Sequence, residues 1–340
     1  VGVWLSAAQV ASLIKSKKMK GRVALLLSFL LIVIILVAVF RKKIFSPSQK
    51  VNSSAEWKAP DTSHLSSTPE GQLILYGRQL ISNTSKYLGP KGTVASITNG
   101  MNCQNCHIDA GSKAFGNSFS AVAANYPQFR NRSGIVESIE FRINDCLQRS
   151  LNGKAIDSTS KEMQAMVAYL KWIGKDVPKK TKPKGSSNEI PYLHRPADSA
   201  KGQIVYVSKC ERCHGKKGEG ILKADLTGYI YPPLWGDSSY NIGAGLYRLT
   251  RFAGYVKYNM PFDKASNASL QLSDEEAWDV AAFVNSKPRP VKFFEHDWPD
   301  IKKKAVDYPF GPYADTFSVQ QHKYGPFEPI EKARQPGAKK

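Results

Sequence analysis

Two CxxCH pentads, Cys103-Gln104-Asn105-Cys106-His107 and Cys210-Glu211-Arg212-Cys213-His214, constrain this chain more than any other feature. In each, two thiols at that spacing can form thioethers to the vinyl groups of a haem, and the adjacent histidine is placed to ligate the iron. Zinc is the alternative use of a CxxC pair, but it asks for two further Cys or His ligands at finger or ribbon spacing, and none follows either pair. A thioredoxin-type redox motif would sit in a βαβ pattern, which neither pentad has around it. The repeat therefore predicts two covalently attached haem c groups, one held by Cys103, Cys106 and His107 and the other by Cys210, Cys213 and His214.

A chain of 340 residues accommodates one small domain for each motif. Helical periodicity runs through Leu73, Leu75, Tyr76, Leu80 and Ile81 and stops near Asn83, ahead of the Gly89-Pro90 turn signal. After the first pentad, Met163, Met166, Val167, Leu170 and Ile173 share a helical stripe, opened by a capping box of Thr159 and Glu162. The second unit repeats the plan. Ala200–Lys209 forms a helix leading into its pentad, and Gly215, Gly218 and Gly220 mark the loop that follows. Ser273 with Glu276 then caps a helix bearing Ala277, Val280, Ala281 and Val284, closed by Pro288.

The expected fold is thus mainly α. It consists of two cytochrome-c-like haem domains in tandem, the first over 70–176 and the second over 200–290, joined by a proline-rich linker over 177–199. The C-terminal extension, 291–340, is aromatic and proline-rich without helical or strand period. It is too apolar for a disordered spacer and is expected to wrap onto the haem domains, with the basic, polar residues from Glu331 onward fraying.

Residues 1–45 read as a cytoplasmic N-terminus and a transmembrane helix, and residues 46–69 as a flexible stalk. Val23–Phe40 is apolar except for Ser28, near the lower length limit of a spanning helix. Lys15, Lys17, Lys18, Lys20 and Arg22 precede it, and the positive-inside bias favours export of the C-terminal body. Arg41, Lys42 and Lys43 stand where a small-residue cleavage site would be, which favours an uncleaved anchor over a signal peptide. The expected location is the bacterial inner membrane, with the haem domains in the periplasm. A net charge of +20 predicts attraction to anions and acidic surfaces. The lysines at 179, 180, 182 and 184 lie in the linker without a nucleic-acid module, so nucleic acid is not an expected partner.

Each iron also needs a sixth ligand or an open face, and that choice separates electron carriers from enzymes. Met260, in Tyr258-Asn259-Met260-Pro261, is the only methionine C-terminal to Met166 and the leading candidate for the second haem. Lys257, His296 and His322 are the others. A His/Met pair raises the potential and suits electron exit. The first unit has no such methionine, because Met163 and Met166 lie on a packing stripe beside Tyr169 and Trp172. Attention then falls on Cys146, the one cysteine outside the pentads, flanked by Arg142 and Arg149. Nearby positive charge favours the thiolate, which is both nucleophile and metal ligand. A buried, inert cysteine is the alternative reading.

Several segments resemble the dihaem c-type thiosulfate dehydrogenases, TsdA-like enzymes that form tetrathionate: Asn102–His107, Tyr126-Pro127-Gln128-Phe129, Glu140–Cys146, Gln148–Gly153, Pro309–Tyr313 and Gln321–Phe327. The resemblance covers most of residues 70–330. It implies a catalytic first haem with His107 and Cys146 on opposite faces. It also implies substrate-binding arginines at Arg132 and Arg142, less directly Arg149, and a methionine ligand, Met260, on the electron-exit haem, with Lys257 as a weaker candidate for a switching lysine. The implied reaction couples two thiosulfate ions to tetrathionate, passing electrons through the second haem to an acceptor cytochrome or membrane redox protein. Reversed potentials would turn it into a tetrathionate reductase. Two other functions stay open: a tethered dihaem electron-transfer cytochrome without its own substrate, and a sulfur-oxidation cytochrome acting on a carrier protein.

Overall fold

Two helices cross closely in each half of the protein, and a glycine makes each crossing possible. In the first half, α1 (Pro69–Ser82) and α3 (Lys161–Ile173) meet where a methyl on Gly77 would stand 1.9 Å from the Ala165 carbonyl oxygen. In the second, α4 (Ser199–Lys209) and α6 (Asp274–Ser286) meet where one on Gly202 would stand 1.8 Å from the Asp279 carbonyl oxygen. No side chain larger than hydrogen fits either contact. Helix α2 (Ile139–Arg149) and helix α5 (Leu249–Asn259) hold corresponding positions along the chain, each preceding and contacting the second helix of its pair.

The structure is a computed structural model that describes residues 56–335 and, before them, Ala8 alone. The transmembrane helix expected over 23–40 lies outside the described residues, as do the first ten residues of the stalk and the last five residues of the chain. Among the described residues no helix is long and apolar enough to cross a membrane.

Local chemistry sets the helix ends. Thr68 caps α1 by accepting from Gly71 N, with Pro69 in the first turn, where its missing N–H costs nothing. The capping box at Ser273 and Glu276 forms as expected. That expected at Thr159 and Glu162 does not. Ser160 takes the cap instead, accepting from Met163 N at 3.3 Å, while Thr159 binds Asp157. Glu162 accepts from the Tyr76 hydroxyl at 2.9 Å and so pins α3 to α1. The carboxylate's long-range partner outweighs the local one.

Each half has an apolar core. Leu80, Leu88, Leu147, Met163, Met166 and Tyr169 lie in the first, and Tyr206, Leu249, Phe252, Trp278, Val280 and Phe327 in the second. Met163 and Met166 are 0 % and 1 % exposed, so both pack rather than face a cavity. Ile108, next to the first pentad, packs in the second core, and both cores belong to one compact unit. Two short hairpins interrupt the helices. Strand β1 (Gln128–Arg130) pairs with β2 (Ile135–Glu137), Phe129 opposite Val136, and β3 (Ile221–Leu222) pairs with β4 (Tyr229–Tyr231).

The linker lies on the protein surface, with Lys180 N donating to Ala124 O and Trp278 Nε1 to Pro191 O. The extension wraps back as its aromatic content requires, burying Tyr308, Phe327 and Ile330. Fraying from Glu331 does not occur over the described part. A helix spans Glu328–Ala333, Ile330 is fully buried on it, and Arg334 binds Asp315 and the Lys304 carbonyl.

Candidate functional site

Helix ends place both pentads. Cys210 ends α4, and a further turn, Glu211–His214, carries Cys213 and His214. The first pentad starts in the turn Cys103–Asn105, fixed by Cys103 N donating to Thr84 Oγ1 and Asn102 N to Asn105 Oδ1.

The two pentad histidines share one arrangement. His107 Nδ1 lies 2.6 Å from Asn117 O, and His214 Nδ1 lies 2.9 Å from Pro232 O. A carbonyl oxygen can only accept, so Nδ1 carries the proton and Nε2 keeps its lone pair for a metal. Burial favours the neutral ring in both, taking His107 down to about 4. Neutral imidazole is the ligating form.

Around His214 lies a cavity of about 330 Å³, walled by Cys210, Cys213 and Met260 and by apolar side chains such as Leu246, Phe252 and Val256. Asn105 and Cys106 also line it, so it reaches the first pentad. Two thiols, a lone-pair nitrogen and an apolar cradle fit a covalently held haem. Of the four candidates for its sixth ligand, Met260 is the one in the wall. Lys257 is paired with Asp274 at the start of α6. His296 is exposed, and His322 is fully buried in the extension between Val306 O and Asp315.

Cys146 rides on α2. Ser138 caps this helix by accepting from Phe141 N, and Ile139, Ile143 and Leu147 form its buried stripe. Cys146 follows Arg142 by one turn, so the two share a face. The Cys146 sulfur is the largest influence holding Arg142 above its ordinary pKa, against burial. Burial pushes the thiols of Cys103 and Cys106 up to about 11 and about 12, and proximity to Cys146 adds to both. Cys146, Arg142 and the first pentad's cysteines therefore converge.

Asp145 gathers the arginines. Its Oδ2 accepts from Arg142 Nη1 at 2.5 Å and Arg132 Nη1 at 3.5 Å, and its Oδ1 accepts from Arg149 Nε. Burial pushes the Asp145 carboxyl up, but the three guanidiniums outweigh it and hold the group below its ordinary value. Arg149 differs from the other two. Both its terminal nitrogens donate to Asp297, its guanidinium lies 3.6 Å from the Phe294 ring centre, and its side chain is 7 % exposed, against 35 % for Arg142. It fastens α2 to the extension. Arg132 is held by the extension too: its carbonyl accepts from Trp298 N at 2.6 Å and its Nη2 donates to the Tyr308 hydroxyl at 2.5 Å.

Sequence reasoning missed Asp145, Asp297, Tyr308 and the carbonyls of Asn117 and Pro232. Asp145 carried a readable signal, at i+3 from Arg142 and i−4 from Arg149. The others are brought in by tertiary contacts and carried none.

Residues 94–178 match the family described as SoxA/TsdA, cytochrome c domain, and residues 199–287 match the Cytochrome c family. A thiosulfate dehydrogenase of Psychrobacter arcticus is 36 % identical over 244 residues, which make up 72 % of this chain and 72 % of that one. The chain belongs to the dihaem thiosulfate dehydrogenase family. The thiosulfate dehydrogenase of Allochromatium vinosum is 38 % identical over 225 residues, 65 % of this chain and 80 % of its own. Among solved structures, thiosulfate dehydrogenase TsdBA from Marichromatium purpuratum in its "as isolated" form superposes with a TM-score of 0.61 at 29 % identity. That match covers 70 % of this chain and half of the longer one. As a member of the thiosulfate dehydrogenase family with two tandem cytochrome c domains, the chain carries two covalently attached haem c groups.

Proposed function

We propose that this protein oxidises two thiosulfate ions to tetrathionate at the Cys146 side of the first pentad, and that the electrons leave by way of the second. The observation that carries this reading is the convergence of Cys146, Arg142 and the first pentad's cysteines in front of an arginine cluster. When bound, the two haems supply two one-electron redox centres, enough for both electrons of 2 S₂O₃²⁻ → S₄O₆²⁻ + 2 e⁻. His107 and Cys146 would hold the iron of the first haem and His214 and Met260 that of the second, each histidine offering its unprotonated Nε2.

The chain's own part is to gather anions that repel one another. Arg142 and Arg132 offer guanidinium forks suited to sulfonate oxygens. Asp145 keeps both aimed while cancelling only part of their charge. Arg149, saturated by Asp145 and Asp297, holds the helix in place and does not touch substrate. The shared cavity wall, with Asn105 and Cys106 beside the Cys210–Met260 lining, supports a short path between the two redox centres.

The haem-bearing, full-length protein tests this directly. With thiosulfate and an artificial one-electron oxidant it should form tetrathionate, and Cys146→Gly should abolish product while keeping both haems. A wild-type protein that reduces no oxidant with thiosulfate, or a Cys146→Gly variant with undiminished turnover, would sink the proposal.

We also propose that residues 23–40 anchor the chain in the bacterial inner membrane with the haem domains in the periplasm, so that the acceptor is membrane-associated. Their uncharged run, apolar except for Ser28 and set between two cationic clusters, supports this. Release of the intact chain from membranes by alkaline carbonate would count against it.

A further inference from the structure

Tyr308 belongs to the C-terminal extension, beyond both regions matched by the cytochrome families. Its side chain is nevertheless 2 % exposed and reaches the arginine cluster. Arg132 Nη2 donates to its hydroxyl, and Trp298 meets its ring edge-on with centroids 5.0 Å apart. The cationic groups of Arg132, Arg248 and Lys304 lie 5.8, 5.5 and 5.4 Å from the ring centre. A phenol has lone pairs to accept with and one hydrogen to give. Here the oxygen accepts from Arg132, while among the described residues no protein atom takes the hydroxyl hydrogen. A buried donor left without an acceptor is disfavoured. Arg132, Arg248 and Lys304 are themselves matched, by Asp145, by Asp307 and by the Phe310 and Pro312 carbonyls, so what the hydroxyl hydrogen lacks is an acceptor, and an oxyanion bound at Arg132 would supply one.

Coupling two thiosulfate ions requires two oxyanion sites side by side. Arg142 shares a helix face with Cys146 and serves the inner one. Arg132, in the turn between β1 and β2, meets the same Asp145 oxygen at 3.5 Å and carries the Tyr308 hydroxyl with it. We infer that Tyr308 is a substrate-binding residue: its hydroxyl donates to a sulfonate oxygen of the second thiosulfate, the one held by Arg132. This rests on the thiosulfate dehydrogenase reading given above. It also gives the extension a part in the reaction, since the outer site would be incomplete without it.

Tyr308→Phe keeps the ring, its Trp298 contact and its neighbouring cations, and removes only the hydroxyl. In the haem-bearing full-length protein it should raise the thiosulfate KM about tenfold, the loss expected of one hydrogen bond to a charged group. The kcat and the thermal midpoint should stay near wild type. A tyrosine that merely aims Arg132 would lose its effect once Arg132 is altered, whereas a donor to substrate would not. The KM increase from Tyr308→Phe should therefore persist in an Arg132→Lys background. An unchanged KM, or an increase that vanishes in that background, overturns the assignment while leaving the activity itself standing. A wild-type protein that forms no tetrathionate removes the reading on which it rests.

Discussion

Arg149 and Asp297 form a two-pronged ion pair, with Nη1 to Oδ2 and Nη2 to Oδ1 both at 2.7 Å. The pair joins the last turn of the helix bearing Cys146 to a segment 148 residues further along the chain. Arg149 Nε contacts Asp145, so a single guanidinium links the arginine cluster to the extension. The orientation of Cys146 therefore depends on residues outside either cytochrome domain.

Removing that partner leaves a buried guanidinium half-satisfied. Asp297→Ala should cost about 2 kcal/mol, less than the roughly 3–5 kcal/mol of a fully buried pair, because the Asp297 side chain keeps 21 % of its exposure. Urea denaturation followed through the haem absorbance gives the value. A midpoint equal to wild type would show that the pair contributes no net stability.

The helix crossings make a sharper test. Gly77→Ala and Gly202→Ala each drive a methyl into backbone, which cannot move aside as a side chain could. Each should destabilise by at least the ~1–3 kcal/mol of core overpacking. Gly245, with open space around its Cβ position, is the control, and Gly245→Ala should change the thermal midpoint little. Equal effects at all three positions would contradict the close-packed crossings.

If Met260 completes the second haem, exchanging its thioether for an imidazole lowers that haem's potential. Met260→His should show a drop in redox titration and lose the methionine-to-ferric-iron charge-transfer band, with the first haem unchanged. A variant whose potentials both match wild type would place the sixth ligand elsewhere.

Acid should loosen the extension before the domains. Burial pushes the Asp315 carboxyl up, but Arg334 and His322 outweigh it and hold the group below its ordinary value of 3.8. A depressed carboxylate contributes stability that is complete above its unfolded pKa, here about pH 4, and is lost as pH falls through the lower folded value. Hydrogen exchange over 315–335 should accelerate in that window, and Asp315→Asn should show the faster exchange already at pH 7. Acid exchange that begins in α1 or α6 instead would refute the ordering.

Haem attachment, the tandem plan and most helices were legible because their signals are local: a five-residue motif, a 3.6-residue stripe, a cap three residues from its partner. Even there, Glu162 was misassigned, because a tyrosine on another helix outweighed its neighbour. Met260 was singled out by its solitude in the sequence, and the structure places it in the wall beside His214.

Sequence alone determined that this chain holds two haems, and left Cys146 as the thiol outside the pentads. Which of its arginines could meet a substrate was decided only by the fold. Arg132, Arg142 and Arg149 look alike in sequence, but Asp297 and Phe294 saturate one of them, Tyr308 and Trp298 position another, and the third stays beside Cys146 with a third of its surface open. Guanidinium chemistry is identical at all three positions. What differs is which acceptors lie within about 3 Å, and hydrogen bonds of that reach are set by chain segments far apart in sequence.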